Sequence, residues 1–185
     1  MTLKLGIHWF RQDLRLFHNP SLEALSKKVD QIVPIYIHDP KQRIGSVSRW
    51  WLEKSLKNLS NNIEKKNGKL KVFIGNPSHI IQSLIIDKNI ECFYWNRLYD
   101  PYSIIRDKNI KSLLKQQDID CVTFNGYLLN EPWEIKNKSG SFFKVFTPYW
   151  RHCNDLTRNK KFTKKTHNIK LFNSILNNSK KLQDL

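Results

Sequence analysis

The sequence predicts an α/β fold, in which a five-stranded parallel sheet carries helices on both faces. Five short apolar runs, rich in β-branched and aromatic residues, alternate with longer segments whose apolar residues recur at helical spacing. The connections between these segments are short, which favours parallel strands joined by crossover helices. We therefore expect a doubly wound, Rossmann-like domain, and such domains bind ligands beyond the carboxyl ends of their strands.

The strands are predicted from the apolar runs. Residues 3–10 form the first strand, and their nearly continuous apolar character is typical of a strand buried on both faces. The second strand covers residues 31–38, where Pro34 indicates an irregular hydrogen-bonding position. The remaining strands cover residues 70–74, 92–95 and 121–124.

Four helices are predicted between the strands. The first covers residues 20–29, with Asn19 as the N-cap and a proline at the first helical position. The longest covers residues 48–66, where Ser48 would provide the N-cap and Asn67-Gly68 the end. The others cover residues 77–88 and 101–117.

The apolar stripes of these helices predict which residues face the core. In 48–66 the stripe consists of Trp51, Leu52, Leu56, Leu59 and Ile63. In 77–88 it consists of Ile80, Ile81, Leu84 and Ile85. In 101–117 it consists of Ile104, Ile105, Ile110, Leu113 and Leu114.

The alternation of strands and helices ends at Gly126. An irregular covering segment is followed by a short predicted helix that Thr147-Pro148 would begin. This helix carries Tyr149, Trp150 and Leu156. Basic and polar residues dominate the rest of the chain. We predict one α/β domain over residues 1–157 and a basic interdomain linker or tail over residues 158–185.

The composition limits the class of protein. The formal net charge is +16, which indicates either attraction to polyanions such as nucleic acids or a lysine-rich composition without that role. The three cysteines are odd in number and lack C-x-x-C spacing, so we expect a reducing compartment. No apolar run approaches the about 20 residues that cross a bilayer. We expect a cytoplasmic protein with no membrane partner.

Several common catalytic and binding motifs are missing from the sequence. It contains neither G-x-G-x-x-G nor G-x-x-x-x-G-K, and no G-x-S-x-G. Its histidines and cysteines do not occur at metal-ligand spacing, so no metal site is predicted. We also find no set of catalytic residues that would work on its own.

Polar residues instead follow the first and fourth predicted strands and begin the long helix. The loops after the first, second and fourth strands can face one crevice. Guanidinium groups there could stack on a planar ligand, and carboxylates could accept hydrogen bonds from it. The alternative is that Arg11, Asp13 and Arg15 pair with one another and with helix ends. The candidate pocket residues are Arg11, Asp13, Ser48, Arg49, Asn96, Arg97 and Asp100.

Four stretches resemble motifs of the DNA photolyase and cryptochrome family, and they occur in the family's order. The first reads W-F-R-Q-D-L-R over 9–15, followed by N-P at 19–20, although His18 stands where the family usually has Asp. The others are S-R-W-W-L-E-K-S-L over 48–56, Y-W-N-R-L-Y-D-P-Y over 94–102 with R-D at 106–107, and V-F-T-P-Y-W over 145–150.

The resemblance implies the N-terminal α/β domain of this family. That domain can hold an antenna chromophore (a folate, a deazaflavin or a flavin) and passes excitation energy to FAD. The FAD site, the electron-transfer tryptophans and the DNA lesion site belong to a helical domain outside this sequence. We therefore expect no light-driven repair by this chain alone. Trp51 and Trp95 are expected in the core, and Trp50 and Trp150 at a docking surface or ligand.

The expected partners are the FAD-binding domain, in cis or as a split partner, and DNA through that domain. Two other interpretations stay open. The chain could be a free-standing cryptochrome-like, nucleotide-binding or nucleic-acid-binding module without repair activity. It could also be a remnant of a longer protein.

Overall fold

The computed structural model describes residues 3–86, 90–158 and 169–171. These residues form two compact units, one built from residues up to 126 together with 169–171 and the other from residues 127–158. The first unit contains β1 (Leu5–Phe10), α1 (Pro20–Ser26), β2 (Gln31–His38), α2 (Ser46–Glu64), β3 (Lys71–Ile74), α3 (Pro77–Ile85), β4 (Ile90–Asn96), α4 (Pro101–Gln116) and β5 (Asp120–Phe124).

The five strands form one sheet in the order β3-β2-β1-β4-β5. All four strand pairs are parallel, as the sequence predicts. The chain moves outward from β1 to β3 on one side and then crosses to β4 on the other. The strand order therefore reverses between β1 and β4, and such a reversal opens a crevice at the carboxyl ends of the strands.

Two apolar layers confirm the predicted helices on both faces. Phe10 of β1 packs in a layer with residues of α1 and α2, including Leu25 and Leu59. Ile7 and Trp9, which alternate with Phe10 along β1, pack in a second layer with residues of α3 and α4. The sheet is thus covered on each side, which explains the almost uninterrupted apolar run of its central strand.

The helix starts agree with the sequence except in α2. The side chain of Asn19 accepts a hydrogen bond from the Leu22 backbone N–H, and Pro20 follows at the first position of α1. α2 begins at Ser46, and its N-cap is Gly45, which has the extended backbone of a cap residue (φ −66°, ψ 164°). The prediction that Ser48 caps this helix is therefore wrong, because Ser48 already lies in its first turn.

The predicted end of α2 is confirmed. Asn67 has a left-handed backbone (φ 59°), and the Gly68 N–H donates to the Ile63 carbonyl over 3.1 Å. Gly68 has a second role, because a Cβ at this position would lie 2.5 Å from the Cβ of Leu171. A side chain at Gly68 would displace the residue that packs there.

Three predictions about core residues are wrong. Trp51 is 65% exposed. It lies in the first two turns of α2, and residues 45–51 are all exposed and do not pack against the sheet. Ile104 and Ile105 are 52% and 63% exposed. In the first turns of α4 the inward positions hold polar and charged side chains, among them Arg106 and Asp107, so the two isoleucines face outward.

The second unit contains a 3₁₀ helix, Pro132–Glu134, and α5, Phe146–Arg158. A reciprocal capping box links Glu131 to Glu134 at the start of the 3₁₀ helix. α5 begins one residue before the predicted Thr147, and none of its described residues is buried. Its aromatic residues are exposed; they are Phe146, Tyr149 and Trp150.

Part of the predicted linker packs on the first unit. Leu171 is buried and forms a parallel bridge with Ile32, whose N–H donates to the Lys170 carbonyl over 3.0 Å. The rest of the predicted linker beyond Arg158 lies outside the described residues, as do residues 87 and 88 of the third predicted helix. Among the helices that the structure describes, none is long and apolar enough to cross a membrane.

Candidate functional site

A cavity of about 470 Å³ lies at the carboxyl edge of the sheet. It is bordered by the ends of β1 and β2, by one side of α2, and by residues after β4. The residues of its wall include Trp9, Arg11, Arg15, His38, Asp39, Ser48, Trp51, Leu52, Ser55, Asn58, Leu98 and Arg106. The loops after the first, second and fourth strands therefore meet at one site, as the strand order predicts.

The apolar part of the wall includes an exposed tryptophan. Trp51 projects from α2 with 65% of its surface accessible, although it borders the cavity. Its ring lies 6.2 Å from the ring of Trp50, at an interplanar angle of 43°. A large indole ring left open to solvent beside a cavity offers a flat surface on which a planar ligand can stack.

Arg11 is held rigidly at the inner end of the cavity. Its Nη1 donates to both oxygens of Asp107, over 2.9 and 2.7 Å, and its Nε donates to the Asn96 carbonyl over 3.2 Å. The guanidinium also lies 4.8 Å from the ring centroid of Trp9. Burial lowers the pKa of Arg11, and the charge of Asp107 opposes that shift. Hydrogen bonds to two separate partners fix the direction of the guanidinium.

Arg106 extends this cluster towards β2. Its Nη2 donates to Asp107 over 3.0 Å, and its Nη1 lies 3.5 Å from Asp39. The Tyr102 hydroxyl donates to the same Asp39 oxygen over 2.7 Å. Partial desolvation, together with this hydrogen bond to a carboxylate, raises the pKa of Tyr102 to about 12. Two buried arginines and two buried carboxylates thus balance each other at the cavity wall.

Arg15 adds a positive charge that no described carboxylate balances. Its Nη2 donates to the carbonyls of His18 and Gly126, over 3.0 and 2.8 Å. These contacts satisfy donors without cancelling the charge. Arg15 is thus the arginine of the cavity wall that forms no ion pair with a described carboxylate, and its guanidinium suits a ligand with an anionic edge.

His38, at the end of β2, adds a polar group to the wall. Burial lowers its pKa, and the nearby positive charge of Arg49 lowers it further, while Asp39 acts in the opposite direction. A lowered pKa keeps the imidazole neutral at pH 7, with one nitrogen able to donate and the other able to accept.

A buried polar network fixes the loop after β1 behind the cavity. Asp13 accepts from the Arg11 backbone N–H over 2.9 Å and from the Asn19 amide over 3.1 Å. The Asn96 amide donates to Asn19 over 2.8 Å and also to Asp13. A Cβ at Gly126 would lie 2.6 Å from Nδ2 of Asn96, so only glycine leaves space for this network. The end of β4 is thereby tied to the loop after β1.

The structure separates the candidate residues into groups. Arg11 and Ser48 line the cavity, whereas Asp13 and Asn96 are fully buried behind it. The alternative pairing of Arg11 with Asp13 is found only in part, because the Arg11 guanidinium pairs with Asp107.

The other three candidates lie outside the cavity wall. Arg49 is exposed and acts on His38 through its charge. Arg97 donates to the Thr123 hydroxyl over 3.2 Å. Asp100 caps α4 by accepting from the Ser103 backbone N–H over 2.9 Å.

The sequence reasoning missed Trp51, Arg106 and Asp107. The two charged residues could have been found because they occupy inward positions of α4, between the buried Ser103 and Ile110. Charged residues in such a stripe are rarely buried unless they are paired. Trp51 follows Ser48 by one helical turn, which places both on one side of α2. Among the described residues, no group of three metal-ligating side chains is found.

Comparison with known proteins gives a consistent result. The family model described as DNA photolyase matches residues 6–167. The deoxyribodipyrimidine photo-lyase of Agrobacterium fabrum is 37% identical over 154 residues, which cover 82% of this chain and 32% of that protein. Cryptochrome-2 of Arabidopsis thaliana is 35% identical over 162 residues, covering 83% of this chain and 26% of that protein.

Solved structures agree with these matches. The crystal structure of a bacterial class III photolyase from Agrobacterium tumefaciens has a TM-score of 0.88 at 30% identity, over 100% of this chain and 38% of that one. An archaeal photolyase from Sulfolobus tokodaii, solved with two FAD molecules and an implied novel light-harvesting cofactor, has a TM-score of 0.77. At 24% identity, over 97% of this chain and 40% of that one, the archaeal structure supports the fold alone.

Proposed function

This chain belongs to the DNA photolyase family, and we propose that its cavity holds a light-absorbing antenna chromophore. It corresponds to the N-terminal α/β domain of photolyases and cryptochromes. Since it spans 32% of the length of its Agrobacterium fabrum relative, the activity of a whole photolyase is itself a proposal for this protein. In that proposal an FAD-binding domain, in cis or as a split partner, performs light-driven repair of pyrimidine dimers in DNA.

The observation that carries the proposal is Trp51. An indole that is 65% exposed costs solvation free energy unless something covers it, and Trp51 borders a cavity with fixed charges. The cavity volume of about 470 Å³ lies within the range of small-molecule sites. Folates, deazaflavins and flavins each present a flat heteroaromatic ring, and we propose that such a ring lies between this indole and the arginine cluster.

In this proposal each residue of the cavity wall makes a different contact with the ligand. Trp51 would stack on the ring, and Arg15 would attract an anionic edge of the ligand. Ser48, with Ser55 and Asn58 on the same side of α2, would donate or accept hydrogen bonds at the ring edge. Arg11 would present a fixed positive charge at the inner end. The bound group supplies light absorption, while the chain places and orients it.

The remaining candidate residues would not contact the ligand but would fix the position or charge of the residues that do. Asp13 and Asn96 would hold the loop that carries Arg11, and Arg49 would keep His38 neutral. Asp100 would fix the start of α4, and with it Arg106, whereas Arg97 would hold the end of β4 against β5. We also keep a cytoplasmic location as part of this proposal.

The test is a fluorescence titration of the chain with methenyltetrahydrofolate, 8-hydroxy-5-deazaflavin and FMN in parallel. We expect one of them to bind, and Trp51→Ala to weaken it by roughly 10- to 30-fold, as for a buried aromatic anchor. Ser55→Phe, which fills the cavity, should abolish binding. Trp50→Ala is the matched control and should leave affinity unchanged. Equal affinities for the Trp51 and Trp50 variants would rule out this site.

The similarity to Cryptochrome-2 favours a second candidate, a cryptochrome-like binding module without repair activity. The two candidates differ in whether an FAD-binding domain works with this chain. The native transcript should be sequenced beyond codon 185, and the size of the endogenous protein should be measured. A continuation that encodes an FAD-binding helical domain supports the repair enzyme. An endogenous protein of this size, with no FAD-bearing partner in its complexes, supports the module.

A further inference from the structure

The exposed side of α2 forms a narrow strip that the cavity does not use. At about 100° per residue, five residues fall on the side of the helix opposite the buried Leu56, Leu59 and Ile63. We call them the outward strip: Val47, Trp50, Lys54, Lys57 and Asn61, all of which are exposed. The cavity is lined from another side of α2, by Ser48, Trp51 and Ser55. The strip is therefore a second surface on the same helix.

Trp50 is the central apolar group of the outward strip. It is 56% exposed, and the Lys54 ammonium lies 5.9 Å from its ring centroid. Unlike Trp51, it does not border the cavity. A chromophore bound in the cavity would therefore leave Trp50 uncovered.

The charges around Trp50 determine which partner fits. Lys54 and Lys57 lie within the strip, and Lys41, Arg43 and Arg49 are exposed just before or within the first turn of α2. Over residues 41–64 these five basic residues outnumber the two acidic ones, Glu53 and Glu64. Two copies of such a surface would repel each other, whereas a polyanion would be attracted. The formal net charge of +16 acts in the same direction.

An aromatic ring between regularly placed basic side chains is the arrangement that binds unpaired bases next to phosphates. The nine residues from Arg49 to Lys57 span about 12 Å of helix, comparable to three or four phosphates along a strand. We propose that the outward strip of α2 binds single-stranded nucleic acid, with a base stacked on Trp50 and phosphates near Lys54 and Lys57. This surface works independently of the chromophore cavity.

The test measures fluorescence anisotropy of a labelled 15-nucleotide oligo-dT with the 185-residue chain over a range of salt concentrations. Trp50→Ala should weaken binding by at least about fivefold, whereas Trp50→Phe should retain most of it. The double variant Lys54→Glu with Lys57→Glu should lower the slope of log affinity against log salt by about 1.4, since each single-strand phosphate contact contributes about 0.7. A duplex of the same length should bind more weakly.

Matched controls separate this site from general basicity. Lys108→Glu with Lys115→Glu makes the same charge change on exposed positions of α4, and Trp133→Ala removes an exposed tryptophan of the second unit. Both controls should bind more tightly than the strip variants. Equal losses in strip and control variants would overturn the proposal, as would no binding of oligo-dT. Trp50-dependent binding to phosphatidylserine vesicles or polyglutamate, but not to oligo-dT, would also overturn it.

Discussion

At the scale of single residues, Asp107 links the two buried arginines of the site. Its oxygens accept from Arg11, from Arg106 and from the Trp95 indole N–H over 3.2 Å. It is buried together with both arginines. Asp107 therefore bridges both buried guanidinium groups beside the cavity, and its loss would leave Arg11 without its carboxylate partner and Arg106 with Asp39 alone.

We predict that Asp107→Ala destabilises the fold by about 3–5 kcal/mol, because it leaves buried charges uncompensated. Urea unfolding at pH 7.5 measures this loss. The matched control is Glu91→Ala, which breaks an exposed pair with Lys4 (3.6 Å) and should cost less than about 1 kcal/mol. Similar losses for the two variants would show that Asp107 does not hold the cluster.

His8 supplies a pH dependence. Its Nε2 lies 2.8 Å from the Ser21 hydroxyl, and burial lowers its pKa to about 4, although Asp13 opposes the shift. Well above pH 6.5 both folded and unfolded states carry a neutral imidazole. As the pH falls towards 4, the unfolded state binds a proton that the folded state does not, so stability falls.

The expected loss from His8 between pH 7 and pH 4 is roughly 3 kcal/mol, because its pKa is about 4 in the folded state and near 6.5 in the unfolded state. Urea unfolding of the wild type and of His8→Gln across this range measures it. The wild type should lose stability more steeply than the variant between pH 6.5 and 4. Parallel curves would contradict the assignment.

At the scale of elements, the periodicity of the sequence predicts every strand of the sheet and every helix that covers it. It does not predict over what length each helix packs against the sheet. α2 contains the predicted stripe, yet only Leu56, Leu59 and Ile63 of that stripe are fully buried. A stripe shows which side of a helix is apolar. It does not show where the sheet beneath it ends, and Trp51 lies beyond that point.

α4 shows a second limit of periodicity. Arg106 and Asp107 occupy inward positions because partners from β1 and β2, Arg11 and Asp39, complete an ion cluster there. Partners distant in sequence by 60 residues or more leave no local signal. The location of the site could therefore be predicted from the strand ends, whereas the partners of the charged residues in α4 could not.

The start of α4 gives a prediction for one element. Partial burial raises the pKa of Asp100, but hydrogen bonds from the backbone and side chain of Ser103 lower it by more, so the net shift is downward. The cap is therefore fully effective above the unfolded-state pKa near 3.9 and is lost as pH falls through the lower folded value.

Asp100→Ala should cost about 0.5–2 kcal/mol at pH 7, and Asp100→Asn should restore most of the loss, since asparagine caps equally well. Urea unfolding of the three proteins at pH 7 measures both effects. A full loss in Asp100→Asn would mean that the charge of Asp100, rather than its hydrogen bond, stabilises α4.

At the scale of the whole molecule, segments far apart in sequence complete one another. The cavity needs the ends of β1 and β2, one side of α2 and Arg106 of α4. At another edge of the first unit, residues 169–171 fill the space beside Ile32 that Gly68 leaves open. The sequence predicts a linker beyond residue 157, and polar composition alone does not show that three of its residues pack on the sheet.

Leu171→Ala should therefore destabilise the first unit by about 2–5 kcal/mol, as for other buried leucines. Ile86→Ala, at a highly exposed position, is the control and should change stability by less than about 0.5 kcal/mol. Urea unfolding followed by tryptophan fluorescence compares the two. An unchanged midpoint for Leu171→Ala would mean that residues 169–171 add nothing to the fold.

The central claim is that the cavity beside Trp51 holds the antenna chromophore. The most direct measurement is a crystal structure of the chain with the chromophore that binds best in the titration. We predict a ring stacked on Trp51, with its anionic edge towards Arg15 and the arginine cluster behind it. A ring bound elsewhere on the molecule, with this cavity containing only solvent, would contradict the claim.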